Sequence, residues 1–219
     1  MNRTRSLPLA LAALLALASL GVVAPRAAAA APIPSPSEFL RMEIGADRVL
    51  ADYRQIRAYF DELDRRSPRV TVENLGTTTL GEDMILAVIT SETNMARLPR
   101  LKEIARRLAD PRGATDAELA ALADEGCAFL LITCNIHATE IGSTQMALEW
   151  AHALATAEDA ETRRRLDEVV LLLVPSLNPD GQRMEVEWYR RYLGTPFEGG
   201  RQPWLYHHYV GHDDNRDWF

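Results

Sequence analysis

Two stretches constrain the fold of this chain more than any others: "CAFLLITCNI" at 127–136 and "VVLLLVPSLNPDG" at 169–181. Each opens as a continuous apolar run, the pattern of a strand buried on both faces of a sheet rather than one that alternates between core and water. Each then breaks into polar residues, the first reaching His137 and Glu140 and the second Asn178 and Asp180. Ligands of open α/β sheets bind at the carboxyl ends of strands, so the two clusters are candidates for a single site.

The rest of the pattern agrees with an α/β class. Residues 47–64 place Val49, Tyr53, Ile56, Tyr59, Phe60 and Leu63 at helical spacing. "RVTVENL" and "MILAVITS" flank the Gly- and Thr-rich "GTTTLGED" and predict two antiparallel strands. Helices are predicted over Arg97–Asp110 and Thr115–Asp124, separated by Pro111 and Gly113. A further helix is predicted with Ser143 as its cap and Met146, Trp150 and Leu154 on one face, followed by the charged "EDAETRRRLDE". Asn-Pro-Asp-Gly at 178–181 reads as a turn. Such alternation predicts a three-layer α/β/α domain around a mixed central sheet.

The domain does not begin at Met1. Arg3 and Arg5 precede an almost unbroken Leu/Ala/Val run from Leu7 to Val23, and "APRAAAAAPIPSPS" supplies small residues for cleavage, then a Pro/Ser stretch. This predicts a secretory signal over 1–30, a linker over 31–46 and the domain over 47–219. An uncleaved anchor is the alternative, at the short edge of what spans a bilayer. The expectation is a secreted or periplasmic protein with no membrane contact after cleavage.

Loss of Arg3, Arg5 and Arg26 from the 24 basic residues, against 31 acidic ones, moves the net charge from −7 to −10. That argues against a nucleic-acid partner and against an anionic membrane surface. Cys127 and Cys134 fall in the same predicted strand, about 23 Å apart at ~3.3 Å per residue and on opposite faces, so no disulfide between them is expected.

His137-Ala138-Thr139-Glu140 is the centre of interest. With five His and 17 Glu in 219 residues, about 0.4 chance occurrences of H-x-x-E are expected, so the spacing alone decides nothing. Both side chains could reach one zinc ion, or they could cap the following helix and bond each other. The far end, "YHHYVGHDDNRDWF", adds Asp213, Asn215 and Arg216 within four residues. A guanidinium grips a carboxylate with two parallel hydrogen bonds, and an adjacent amide can add a third.

Four elements in order, "NIHATE", "SLNPDG", "WYRRY" and "GHDDNRDW", resemble the zinc metallocarboxypeptidases of the carboxypeptidase A type. The resemblance runs from about Asp47 to Phe219. It implies a Zn2+ cofactor with His137 and Glu140 as the first two ligands, and Asn215 and Arg216 as the pair that binds the terminal carboxylate of a peptide or protein substrate. Asp213 matches the carboxylate that orients the first histidine ligand through its other nitrogen. An arginine after the second strand usually polarises the scissile carbonyl, and Arg190 or Arg191 is expected to do so here, with Arg190 preferred. Thr139 stands where many members have Arg, and Asp217 where Asn is commoner.

In that family a third ligand histidine and a catalytic glutamate lie well beyond the Asn-Arg pair, whereas this sequence runs three residues past Arg216. The expectation is therefore a carboxypeptidase domain lacking those two groups, weak in zinc binding and in hydrolysis, with apolar strand faces uncovered. His207, His208 and His212 could line the pocket or supply a ligand. Cys134 reads as core packing, His152 as solvated. Trp188, Tyr189, Tyr192, Trp204, Tyr206 and Tyr209 read as a pocket wall or as packing under a loop. Two other classes remain open: a zinc amidohydrolase acting on acyl-amino acids or peptidoglycan stem peptides, and a non-catalytic carboxylate-binding module.

Overall fold

The computed structural model describes residues 32–204 and 213–217. The signal segment, His207, His208, His212, Tyr206 and Tyr209 lie outside the described residues.

The stretch expected as a linker is packed onto the domain. Ser35 and Glu38 form a capping box that starts α1 (Pro36–Leu40). Ile33, Phe39, Leu40, Met42 and Ile44 lie against the main core, Phe39 with its ring 5.6 Å from that of Tyr59. Four of those five are large aliphatic or thioether side chains, whose burial outweighs the loop-forming tendency of the neighbouring prolines.

The amphipathic helix α2 (Tyr53–Arg66) starts later than its periodicity suggests, because Asp52 and Gln55 close a capping box at its first turn. Its Tyr53, Ile56, Tyr59, Phe60 and Leu63 are buried, as their spacing predicted. Two strands follow, β1 (Val70–Thr77) and β2 (Asp83–Ile89), paired antiparallel as expected. Then come α3 (Glu92–Ala96), α4 (Leu98–Ala109) and α5 (Asp116–Glu125), the last opened by a Thr115–Glu118 capping box. The second half is β3 (Ala128–Thr133), α6 (Ile141–Thr156), α7 (Ala160–Glu168), β4 (Val169–Val174) and α8 (Pro179–Tyr192). A short 3-10 turn covers Asp214–Arg216.

The sheet has the order β1-β2-β4-β3, antiparallel except for the parallel β3/β4 pair, and so is mixed. Alternation along β2 sends Ile85, Ala87 and Ile89 to one core with α2 and α6, and Val88 to a second core with Leu98, Leu101 and Ile104 of α4. β4 divides likewise, Leu171 and Leu173 facing the first core and Val170 the second. Helices thus cover both faces of a mixed sheet, the predicted three-layer architecture.

One strand departs from the expectation. β3 is an edge strand among the described residues, not a central one, and its Leu130 and Leu131 are 48% and 60% exposed. An apolar run reports what side chains require, not the order of strands, and among the described residues only β4 borders β3. Cys127 and Cys134 flank this strand rather than lying within it, and both are free thiols. Burial raises the pKa of the Cys134 thiol, in keeping with a packing role.

α6 also differs. It begins at Ile141, so Ser143 lies inside the first turn and its hydroxyl donates to the Glu140 carbonyl at 2.7 Å instead of capping. The core face is Ala147, Leu148, Ala151 and Ala155, while Met146 is 45% exposed. His152 is half-buried, its Nε2 3.3 Å from the Ile33 carbonyl.

Candidate metal centre

The parallel pair β3/β4 brings the carboxyl ends of the two strands side by side. The Cys134 amide donates to the Val174 carbonyl (3.0 Å), and the Leu177 amide to the Cys134 carbonyl (2.8 Å). Asn135 turns the chain out of β3 with φ of 55°, a left-handed conformation that asparagine tolerates better than most residues. Its buried amide donates to the His137 carbonyl at 3.1 Å and accepts from the Ser176 hydroxyl at 3.0 Å. The loop carrying His137 is thereby fastened to the end of β4. Asn135→Ala should cost about 1–3 kcal/mol, because the Ser176 hydroxyl loses its acceptor and the turn its tolerant side chain, measurable as a lowered denaturation midpoint.

His137 sits between two carboxylates. Its Nδ1 is 2.7 Å from Glu140 Oε1, and its Nε2 is 3.0 Å from Asp213 Oδ1. The Glu140 amide donates to the His137 carbonyl (3.0 Å) and the His137 amide to Glu140 Oε2 (3.3 Å), so the turn itself presents both side chains on one side. Hydrogen bonding to Glu140, then to Asp213, raises the pKa of the imidazole above its ordinary value. Partial burial works to raise the Asp213 carboxyl, but the bonds from His137 and the Asn215 amide, with the Arg216 charge, hold it below the usual carboxylate range. Asp213 accepts from the Asn215 amide at 3.1 Å and pairs with Arg216 at 3.2 Å.

Sequence separation had left unresolved whether His137, Glu140, Asp213, Asn215 and Arg216 could meet; the structure brings them to one place. The second cluster is elsewhere. Asn178 is not part of a turn but the cap of α8, accepting from the Gly181 amide at 2.8 Å, with Pro179 in the first helical turn. A Cβ at Gly181 would lie 2.5 Å from that capping amide, which accounts for the glycine. Asp180 is buried and accepts from the Thr78 hydroxyl (2.6 Å) and the Leu80 amide (3.0 Å), tying α8 to the β1–β2 connection. These two residues build the scaffold and do not join His137.

Arg190 is likewise not brought to the site. Its guanidinium donates to the Leu50 carbonyl (2.7 Å), to Gln55 (3.0 Å) and to Asp52 (3.1 Å), at the start of α2. The cavity beside His137, of about 640 Å3, is lined instead by Arg201 and Arg216, with Asp213, Glu185, Gln202 and Trp204 among its other walls. Sequence reasoning passed over Glu185, Arg201 and Gln202. In the fold Glu185 lies three residues after Gln182 and one before Val186, both buried, so it borders the buried stripe of α8. Of the aromatic residues, Trp204 lines the cavity, whereas Trp188 donates to the Gly200 carbonyl at 2.8 Å, its ring tilted against that of Tyr192 with centroids 4.7 Å apart.

A family model described as zinc carboxypeptidase matches residues 56–219. The chain belongs to the zinc carboxypeptidase family. Solved structures of low identity are similar to parts of it. Carboxypeptidase A from Helicoverpa armigera is 20% identical with a TM-score of 0.45, covering 72% of this chain and 30% of its own. A metallo-carboxypeptidase from Burkholderia cenocepacia is 20% identical with a TM-score of 0.40, covering 59% and 28%. Thrombin-activatable fibrinolysis inhibitor is 12% identical with a TM-score of 0.47, covering 70% and 32%. The chain thus spans about a third of the length of these structures. No curated protein matches it.

The donor set fits part of a zinc site. His137 Nδ1 and a Glu140 oxygen face each other, both are zinc-binding atom types, and the imidazole's other nitrogen already has the carboxylate acceptor that metal-bound histidines require. Among the described residues no group of three or more His, Cys, Asp or Glu could hold a metal ion.

Proposed function

We propose that the protein carrying this chain is an exported zinc carboxypeptidase that hydrolyses the last peptide bond of peptides with a free carboxy terminus. The observation that carries the reading is the doubly bonded imidazole of His137, with Nδ1 toward Glu140 and Nε2 toward Asp213, at the carboxyl edge of the β3/β4 pair. His137 and Glu140 would hold Zn2+. When bound there, zinc supplies the Lewis acidity that amide hydrolysis needs.

The chain's own residues orient and grip. Asp213 keeps a proton on His137 Nε2, which leaves Nδ1 with its lone pair as the ligand nitrogen. Arg216 is anchored through Asp213 and can form a two-pronged bond to a substrate carboxylate, with Asn215 beside it. Arg201, a guanidinium on the cavity wall, takes the carbonyl-polarising part that the family resemblance assigned to Arg190. A carboxylate bound at a fixed distance from the metal confines cleavage to the chain end. Export rests on the charged, then apolar, start of the sequence at 1–30.

Arg216→Ala should weaken binding of a free-carboxylate peptide by about ten- to a hundredfold, the loss of a charged hydrogen bond, with no effect on its amidated counterpart. Arg190→Ala should change neither. Isothermal titration of the two peptides against both variants checks this; equal effects of Arg190→Ala and Arg216→Ala would contradict it. Hydrolysis of a blocked dipeptide, an acyl-amino acid and a peptidoglycan stem peptide by the full protein separates the carboxypeptidase reading from the amidohydrolase one.

A further inference from the structure

The cavity beside His137 contains polar groups that the proposed chemistry leaves unused. Glu185 projects from α8 into its wall, with Oε2 buried and without a hydrogen-bond partner. Gln202, from the loop that closes the other side, has both Oε1 and Nε2 buried and without partners. An orphaned buried carboxyl oxygen and an orphaned buried amide are each costly, and folded proteins leave few such groups without a partner. Burial raises the Glu185 carboxyl above its ordinary pKa.

We infer that Glu185 and Gln202 form a recognition pocket for a cationic group of the substrate, a guanidinium or ammonium, next to the His137 site. An amine or guanidinium N–H supplies donors to Glu185 Oε2 and Gln202 Oε1 together, and its positive charge compensates the carboxylate in a partly buried setting. Gln202 Nε2 is left to donate to a backbone carbonyl of the same substrate. The other charges of the cavity have their own roles: Asp213 is taken up by His137 and Arg216, and Arg201, on the cavity wall, serves the scissile carbonyl in the carboxypeptidase reading. The cavity then offers an anion grip at Arg216 and a cation grip at Glu185, which suits a peptide bearing a basic side chain near its free carboxy terminus. That match to a peptide rests on the carboxypeptidase reading; the cation pocket itself does not.

Methylguanidine, which has the cation and no carboxylate, is the direct probe, and uncharged N-methylurea of the same shape is its control. In nuclear magnetic resonance titrations of the full chain, methylguanidine should perturb the Gln202 side-chain amide and the Trp204 indole, and N-methylurea should bind at least about tenfold more weakly. Glu185→Gln, nearly isosteric, should lose that selectivity without lowering the melting temperature. Gln202→Leu should weaken methylguanidine binding through the other wall. Equal binding of the two probes, or selectivity that survives Glu185→Gln, would overturn the inference. The two readings fail separately. Peptide binding that depends on Arg216 without methylguanidine binding removes the pocket and leaves the carboxypeptidase, whereas methylguanidine binding without any Arg216-dependent peptide binding does the reverse.

Discussion

His137→Ala is expected to lower the zinc affinity of the chain by at least about a hundredfold, more than the ten- to hundredfold typical of removing a partner that only orients a ligand. Asp213→Asn provides the comparison: it leaves both donor atoms in place, removes the carboxylate on Nε2, and should fall within that smaller range. The ordering matters more than either value, because a site in which His137 and Glu140 merely cap α6 would show no zinc dependence on any of the three residues. A pH series adds a sign. Zinc and a proton compete for the imidazole, and the pKa of His137 is raised by Glu140 and Asp213, so affinity should decline on acidification from a pH above the ordinary histidine range. In the metal-free chain the same shift means that protonated His137 contributes stability at low pH, lost as pH rises through its folded-state pKa. Competition with a chromophoric chelator measures the affinities, and thermal melts measure the second effect.

Phe60→Ala should be the most destabilising single truncation in the first core, at about 3–5 kcal/mol. Phe60 is fully buried on α2, in the same cluster as Ile85 and Leu173 of the sheet and Leu148 of α6, so the void would open where three elements meet. Leu75→Ala, on a side chain that is 51% exposed, should stay within about 0.5 kcal/mol and serves as the control. Chemical denaturation of both variants checks the pair; comparable losses would mean that the core does not centre on α2.

Phe60 was legible in the sequence, since its helical spacing with Ile56 and Leu63 leaves little choice of face. The strands β2, β3 and β4 were legible for the same kind of reason, as were α2, α4, α5 and α6; α3, α7 and α8 were not. Strand order was not. β3 and β4 carry nearly the same apolar signal, yet among the described residues β4 lies between two strands and β3 at the edge, a distinction made by tertiary pairing alone. Asn178-Pro-Asp-Gly misled because turns and helix starts use the same residues: asparagine as an acceptor and proline with its preset φ serve both.

The site was legible in part. His137 and Glu140 are close in sequence, and Asp213 was found through family resemblance, with its role bearing on which imidazole nitrogen is left for a metal. The resemblance places Arg190 at the site, but spacing along the chain does not reveal which face of α8 turns inward. Gln182 and Val186 are buried, and Arg190 continues that stripe at the next four-residue step, toward α2 and away from the cavity. Glu185 was overlooked for the converse reason: a glutamate in an amphipathic helix ordinarily faces water, and only the fold shows it walled into a cavity.

In the proposed zinc site, Asp213 fixes His137 so that Nδ1, facing Glu140, is the metal-binding atom. Nitrogen-15 resonance of the His137 ring during zinc titration tests it directly. Nδ1 should shift on metal binding while Nε2 stays protonated, and this pattern should be lost in Asp213→Asn; zinc on Nε2, or no response of His137 at all, would rule out this assignment.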